Sequence, residues 1–357
     1  MKHQIAFVGG QIIPIFWGIY EKNPDVIHLL HTKDSRRQVA IISNVFRGKK
    51  IISHQIDPYQ VEDIKSQVEE IVLNNEKDDF ELNLTGGTKL MALAGQSIFN
   101  TLGLNSFYVK QNSEIYNFID RSTTKINSKL EIRSFIQLSG HNKYSSQMFS
   151  DISNSELELS KKILKISGTS FFQNLMGIVR KENVDPKNCR ELTHAKKGVR
   201  LYWKLPHLKL ENNGEVIECR SKKAFEIVFN GIWWENVVAD SIKNWGKIYE
   251  LGLGVEVFSK EKEGNAKNEI DIVVNTGQKL IFIECKSGNV KQEDINKIRA
   301  VKRLYGGVAS KSILVCRYKP RPDIIEKCQD LGIAVFYDRN LSKLSRKLDH
   351  LLYEMEL

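Results

Sequence analysis

The first 120 residues alternate short apolar runs with stretches in which apolar residues recur at helical spacing. The apolar runs predict four buried strands, at Gln4–Val8, Val26–His31, Lys50–Ile56 and Phe80–Leu84. The helical spacing predicts helices at Ile12–Tyr20, Ser35–Arg47, Tyr59–Leu73 and Thr88–Leu102. Strands that alternate with helices form a parallel, doubly wound sheet, which binds ligands at the carboxyl ends of its strands. The N-terminal region is therefore predicted to be an α/β domain with a doubly wound sheet.

The pattern changes after this sheet. Leu104–Lys110 and Glu114–Ile119 predict a hairpin that closes it. The next hundred or so residues, 121–222, contain polar Ser- and Asn-rich stretches and one clear amphipathic helix, at Leu157–Ile166. We interpret the part from 141 onward as a basic linker or small connecting domain. The expected division is 1–140, 141–222 and 223–357.

The C-terminal region returns to a mixed α/β pattern. It begins with a helix at Gly231–Trp245, which is followed by strands at Lys247–Phe258, Glu269–Val274 and Leu280–Lys286. A helix, a strand, a helix and a strand then follow, at Glu293–Leu304, Ser312–Arg317, Asp323–Leu331 and Ala334–Tyr337. The order helix, three strands, helix, strand predicts a second α/β domain.

Composition and charge narrow the class of protein. Apolar residues make up 41% and charged residues 27%, and no run reaches the roughly 18 apolar residues that a membrane helix needs. Five scattered cysteines without a Cys-x-x-Cys pair argue against a disulfide framework and a structural zinc site, so we expect a cytoplasmic protein. Residues 1–140 carry a net charge of +1 and the remainder +9. The basic part is predicted to meet a polyanion, although a solvated lysine-rich surface explains the charge equally well.

Charged residues at the end of an apolar strand indicate catalysis. In Ile281–Lys286, the side chains of Glu284 and Lys286 share one face because strand residues two apart point the same way. A hairpin turn at 275–279 would bring Asp271 beside Glu284. These two carboxylates and the backbone carbonyl of Cys285 would form an oxygen cage suited to Mg²⁺ or Mn²⁺. Lys286 would then position or polarise the attacking water.

These residues resemble the PD-(D/E)XK nuclease family. The family pattern is an acidic residue on one strand, Glu-x-Lys on the next, and a further Glu on a preceding helix. Asp271, Glu284 and Lys286 match the strand positions and Glu235 matches the helix position, whereas Ile270 replaces the proline of the family name. The resemblance implies a restriction-endonuclease-like fold and metal-dependent phosphodiester hydrolysis. A surface Glu-x-Lys pair without function is common by itself.

Glycine-containing loops at the other end of the chain indicate a ligand site. Leu82–Leu90 runs from a strand through two glycines into a helix N-terminus, where free N–H groups favour a phosphate. A second glycine pair follows the first strand, and Thr32 ends the second strand. The loop lacks the Gly-x-x-x-x-Gly-Lys-Ser/Thr pattern of an ATP-hydrolysing P-loop, and a Gly-Gly turn before a helix is often purely structural.

The Asn-Leu-Thr-Gly-Gly-Thr-Lys segment and the glycine loop after the first strand resemble the CRISPR-associated Rossmann-fold (CARF) sensing domain. With the nuclease motif, the chain resembles CARF-containing CRISPR ancillary nucleases. That resemblance implies a homodimer that binds a cyclic oligoadenylate, typically the tetra-adenylate, and then cuts nucleic acid with a divalent metal. The residues that it places in the activator pocket are Gly9, Gly10, Gln11, Thr32, Thr85, Gly86, Gly87, Thr88 and Lys89.

Several functions remain open from sequence. The first expectation is an activator-gated, metal-dependent endonuclease that degrades single-stranded DNA, and RNA as well, in antiviral defence. One alternative is an activator-gated nickase of duplex DNA. Another is a ligand-dependent nucleic-acid-binding regulator without catalysis, which would not need Asp271, Glu284 and Lys286 together. A sensor that destroys its own ligand is the least supported, because the sensing loops offer Lys89 but no evident base.

Overall fold

Three β-sheets organise the residues described by the computed structural model. These residues are 1–182, 185, 190–194, 198–204, 206–212, 214–258, 266–307, 310–338 and 341–356. One sheet has seven strands and belongs to the N-terminal region. The second has four strands, and the third has six and carries the C-terminal motif. Within these residues, no helix is long and apolar enough to cross a membrane.

The N-terminal sheet is doubly wound, as predicted. Its strands are β1 (Lys2–Val8), β2 (Val26–His31), β3 (Lys50–Gln55), β4 (Asp79–Asn83), β5 (Asn105–Val109), β6 (Glu114–Asn117) and β7 (Thr123–Lys125). Its helices are α1 (Ile13–Lys22), α2 (Arg36–Val45), α3 (Val61–Leu73), α4 (Lys89–Thr101) and α5 (Ile132–Leu138). The spatial order is β3-β2-β1-β4-β5-β6-β7; the first five strands are parallel, and β6 and β7 are added antiparallel.

The middle of the chain contains a sheet that the sequence pattern did not predict. After β8 (Tyr144–Met148) come α6 (Asn154–Ile166), α7 (Ser170–Lys181), β9 (Arg190–His194), β10 (Val199–Lys204), β11 (His207–Asn212) and β12 (Glu215–Arg220). Strands β9 to β12 form an antiparallel meander. In β10 the buried Val199, Leu201 and Trp203 alternate with exposed basic and aromatic residues. That alternation is a strand signal, but it is short and lies in a lysine-rich stretch.

The C-terminal region forms the six-stranded sheet. Its elements are α8 (Ala224–Phe229), α9 (Ile232–Ile242), β13 (Glu250–Phe258), β14 (Ala266–Asn275), β15 (Leu280–Lys286), α10 (Gln292–Val301), β16 (Ser310–Cys316), α11 (Pro322–Asp330), β17 (Ile333–Phe336) and α12 (Leu344–Glu356). The order is β17-β16-β15-β14-β13-β8. Strand β8 therefore lies in the sequence segment that we predicted as connecting, yet it pairs with β13. The final helix α12 was not predicted.

Hydrophobic packing joins these regions. One buried cluster combines α1, α2 and α5 with apolar residues of β13, β14 and β15, including Val255 and Phe282. A second cluster covers the opposite face of the six-stranded sheet with α9, α12 and the four-stranded sheet. The four cysteines within the described residues are free and buried, in agreement with the expected absence of disulfides among them; Cys189 lies outside those residues.

Candidate functional site

The predicted catalytic carboxylates lie side by side on two strands. β14 and β15 are antiparallel with Ile272 opposite Ile283, which places Asp271 next to Glu284. Oδ2 of Asp271 accepts a hydrogen bond from the backbone N–H of Cys285 at 2.7 Å. A strand residue presents its N–H and its C=O to the same neighbouring strand, so the Cys285 carbonyl is also directed to the Asp271 side. The hairpin thus gathers two carboxylates and one carbonyl.

Two lysines neutralise these carboxylates. Nζ of Lys286 lies 2.9 Å from Oε1 of Glu284 and 3.1 Å from Oδ1 of Asp294 on α10. Nζ of Lys297, also on α10, lies 3.2 Å from Oε1 of Glu284 and 3.6 Å from Oδ1 of Asp271. Sequence reasoning missed Asp294 and Lys297. A signal for both residues was present in the sequence. The helix after the Glu-x-Lys strand begins near the carboxyl end of that strand, and residues three apart on a helix share one face, so Asp294 and Lys297 could have been predicted to face the carboxylates.

Burial and mutual repulsion disfavour ionisation of the carboxyl groups. Burial, followed by the charges of Asp271, Glu269 and Glu284, raises the pKa of Glu235 to about 8. Burial likewise raises the pKa of Asp271 and the pKa of Glu284 above their ordinary values. The pKa of Lys286 is raised by the neighbouring carboxylates despite its burial, so this ammonium group stays charged at neutral pH.

This donor set fits a hard divalent cation. Its ligands are oxygen atoms, which Mg²⁺ and Mn²⁺ prefer, and a cation would compensate carboxylates that otherwise resist ionisation. Among the residues that the structure describes, no group of three or more His, Cys, Asp and Glu side chains is arranged to hold a metal by itself. A cation here would need the Cys285 carbonyl and water beside Asp271 and Glu284, which is typical of Mg²⁺ because it keeps several waters.

A cavity of about 450 Å³ lies against these groups. Its walls come from α9, β14 and the end of β15, and they include Glu235, Glu269 and Lys286. Gly231, which precedes α9, has a φ of +93°, a conformation that favours glycine. This turn sets the start of α9, so that Glu235 in its first turn reaches the cavity. Residues 287–288 at the end of β15 complete the wall.

The predicted sensing loops share one edge of the N-terminal sheet. β1, β2 and β4 are parallel neighbours, so the three loops that follow them meet at the carboxyl ends. A Cβ atom on Gly9 would lie 3.0 Å from the backbone nitrogen of Gly87, and one on Gly86 would lie 2.1 Å from the carbonyl oxygen of Phe7. The two glycine loops therefore pack backbone against backbone, and no side chain fits at Gly86.

The side chains at this edge differ in their availability. The Thr85 hydroxyl, on a residue that the CARF resemblance places in the activator pocket, donates its hydrogen to Oδ1 of Asn83 at 2.6 Å. This donor is therefore engaged within the protein. The Thr88 hydroxyl caps α4 by accepting a bond from its backbone. The Thr32 backbone N–H donates to a serine hydroxyl three residues later at 3.0 Å. Lys89 is exposed, which leaves its ammonium group accessible to an anion.

Gln11 connects the sensing edge with the C-terminal domain. Oε1 of Gln11 lies only 2.6 Å from where a Cβ atom of Gly307 would be. Gly10 and Gln11 also line a cavity of about 280 Å³ between the two regions, together with Arg37 and Arg303. The predicted activator residues thus touch a segment that follows α10, the helix that carries Lys297.

Two family comparisons cover most of the chain. Residues 4–135 match the family described as the Card1 CARF domain, and residues 219–354 match the Card1-like endonuclease domain. The intervening residues lie outside both. No curated protein matches the chain.

Solved structures share the fold over nearly the whole chain. Can2 from Sulfobacillus thermosulfidooxidans, in complex with cyclic tetra-adenylate, has a TM-score of 0.73 at 20% identity, with 99% of each chain covered. Protein VC1899 from Vibrio cholerae has a TM-score of 0.78 at 18% identity, covering 99% of this chain and 98% of that one. A type III CRISPR defence DNA nuclease activated by cyclic oligoadenylate has a TM-score of 0.58 at 15% identity; 97% of this chain is covered but 51% of that protein. The predicted fold class is confirmed: a CARF domain precedes an endonuclease domain.

Proposed function

The chain belongs to the CARF-domain nucleases, because a Card1 CARF domain is joined in it to a Card1-like endonuclease domain, and on that premise we propose that it is a metal-dependent endonuclease switched on by a cyclic oligoadenylate in CRISPR defence. The observation that carries the proposal is the convergence of Glu235, Asp271 and Glu284 beside Lys286. A binding module would gain nothing from burying carboxyl groups that resist ionisation.

The residues of the centre have distinct roles in this proposal. Asp271, Glu284 and the Cys285 carbonyl would hold Mg²⁺ or Mn²⁺, with Glu235 as a further carboxylate. The metal would supply hydroxide from bound water and neutralise charge on the phosphate. Lys286 is held between two carboxylates and stays charged, so it orients the attacking water and stabilises negative charge rather than accepting a proton.

The sensing edge, where the loops that follow β1, β2 and β4 meet, is the proposed activator site. The N-terminus of α4 and the accessible charge of Lys89 at its first residue suit a phosphate-bearing ring. Can2, which has the same fold, was solved with cyclic tetra-adenylate, and we propose the same ring class here. A two-fold homodimer would present matched half-sites to a ring with two- or four-fold symmetry. Single-stranded DNA is the proposed substrate, with RNA as a second one.

Cleavage assays test the proposal directly. Labelled single- and double-stranded DNA and RNA are incubated with and without cyclic oligoadenylates, in Mn²⁺ and in EDTA. We expect cutting of single strands only when both ring and Mn²⁺ are present. Duplex nicking alone would favour the alternative substrate, and binding without cutting would favour a regulator.

Active-site substitutions separate catalysis from sensing. Glu284→Ala and Lys286→Ala should abolish cleavage while leaving ring affinity nearly unchanged, because the two sites lie in separate domains. Glu293→Ala is the matched control: it removes an exposed glutamate from the first turn of α10. Near wild-type cutting by Glu284→Ala contradicts the assigned centre.

A further inference from the structure

Two exposed tyrosines follow the parallel strands β16 and β17, at the edge of the sheet where β15 ends at Lys286. β15 and β16 are paired with Lys286 opposite Cys316, and β17 runs parallel beside β16. Tyr318 follows β16 and Tyr337 follows β17, and they are 43% and 41% exposed. Two exposed aromatic rings at one strand edge form a surface that can bind a flat apolar group.

Cationic groups accompany both rings. The guanidinium carbon of Arg317 lies 5.0 Å from the ring centroid of Tyr318 and 5.3 Å from that of Trp233 on α9. Nζ of Lys319 lies 5.9 Å from the Tyr337 centroid. The backbone N–H of Arg317 donates to the Lys286 carbonyl at 2.9 Å. We call Tyr318, Tyr337, Arg317 and Lys319 the tyrosine platform. The backbone bond of Arg317 joins it to β15, the strand that ends at Lys286.

We propose that the tyrosine platform stacks unpaired bases of the nucleic acid and so selects single strands for the neighbouring active site. Stacked aromatic side chains next to positive charge are how proteins hold single-stranded nucleic acid without reading its sequence. A duplex keeps its bases stacked on one another and offers the rings no free base face. The inference rests on the proposed nuclease function and adds the residues that set its substrate class.

The test measures binding to the full-length protein in EDTA, so that no cleavage occurs. A fluorescein-labelled single strand of mixed sequence and its duplex are titrated by anisotropy. Tyr318→Leu and Tyr337→Leu should each weaken single-strand binding about 5- to 150-fold, the loss that follows from removing one base–aromatic stack. Tyr318→Phe and Tyr337→Phe keep the ring and should bind within about twofold of wild type. Duplex binding should not change in any variant.

Tyr249 supplies a matched control. Tyr249 is 41% exposed, and Nζ of Lys129 lies 5.1 Å from the centroid of its ring. It precedes β13, and its backbone N–H donates to the carbonyl of Asn275 at the end of β14, away from Asp271. Tyr249→Leu should leave single-strand binding unchanged. If wild type binds single strands and the two leucine variants bind equally well, the platform is refuted while the nuclease function stands. If wild type neither binds nor cuts nucleic acid, both are refuted.

A separate set of contacts links the sensing edge with the active site. A π-helix, Lys302–Gly306, continues α10, and Gly307 after it meets Gln11. The buried Tyr305 in this π-helix accepts a hydrogen bond from Nδ2 of Asn268 at 2.7 Å. Asn268 precedes Glu269, which lines the active-site cavity. The π-helix therefore reaches the site by two routes, through α10 and through β14.

We infer that the π-helix transmits occupancy of the sensing edge to the active site. Single-turn π-helices inside α-helices occur frequently at functional sites. A ring that repositions Gln11 would shift Gly307, because Oε1 of Gln11 lies against this glycine, whose φ of +56° disfavours any side chain. The shift would move Lys297 along α10 and Glu269 through Asn268. Tyr305 and Gly307 are thus positioning residues.

Tyr305→Phe tests this route by deleting one hydroxyl. The ratio of ring-activated to ring-free cleavage should fall about 2- to 10-fold, the worth of one buried hydrogen bond, while ring affinity changes little. Tyr144→Phe, a partly buried tyrosine packed on the same core, should keep the full ratio. An unchanged ratio in Tyr305→Phe overturns the route. A wild type that the ring does not stimulate overturns the proposed activation itself.

Discussion

Removing the charge of Lys297 is the sharpest test of the proposed metal centre. Its ammonium group lies within 3.6 Å of both Asp271 and Glu284, so it supplies the positive charge that a cation would otherwise provide. Breaking a buried ion pair by removing one partner costs about 3–5 kcal/mol. Because the Lys297 side chain is about one-third exposed, water relieves part of this cost. We expect Lys297→Met to destabilise the metal-free protein by about 2 kcal/mol.

The assay is thermal unfolding in EDTA and across a Mn²⁺ titration. A loss of about 2 kcal/mol lowers the melting temperature by about 4–8 °C in a domain of this size. Mn²⁺ should raise the melting temperature of Lys297→Met more than that of wild type, because the cation no longer competes with an ammonium group for the two carboxylates.

Lys302→Met is the control for the loss of one lysine. Burial and the charge of Lys311 lower the pKa of Lys302. The charge of Lys302 is therefore unfavourable in the folded protein, and removing it should not destabilise the protein. The reasoning is refuted if Lys297→Met melts like wild type in EDTA, or if Mn²⁺ stabilises both proteins equally.

The remaining predictions concern the sensing domain. Lys89→Ala should raise the ring concentration for half-maximal cutting, and saturating ring should largely restore the rate; an unchanged dose response would remove Lys89 from the site. Calorimetry should return one ring per homodimer, and one ring per monomer contradicts this. Burial lowers the pKa of His28 to about 4, and its ring bonds to His3 and His54 at 3.0 and 3.2 Å. In the unfolded chain this histidine has a pKa of about 6.5 and binds a proton below that pH, whereas His28 in the folded protein stays neutral until the pH approaches 4. Stability should therefore fall as pH drops from about 6.5 towards 4, and His28→Gln should flatten that part of a melting-temperature profile.

The local patterns in the sequence were sufficient for both α/β domains. Continuous apolar runs such as Val26–His31 form strands, because a parallel sheet covered by helices buries both faces of each strand. The two-residue period of Glu284 and Lys286 correctly placed them on one face, and the hairpin length fixed Asp271 beside Glu284. Such features depend on neighbours in the chain, so a single sequence reveals them.

The sequence alone also indicated the two families through short motifs. Glycine is required where backbones touch, as at Gly86, and this requirement is visible as a letter in the sequence. What the letters did not reveal was which donors are free. The Thr85 hydroxyl looked available for a ligand, but Asn83 takes its hydrogen.

Only the tertiary structure decided how distant parts meet. Lys297 approaches Asp271 and Glu284, Gln11 reaches Gly307, and Tyr318 and Tyr337 follow two neighbouring parallel strands, although no local period links them. The four-stranded sheet was not predicted either. Its strand β10 is stabilised by pairing with β9 and β11 and by packing its buried face against α7 and α8, and both depend on residues distant in the chain. These arrangements depend on long-range packing free energy, which the sequence encodes in the whole chain and in no single segment of it.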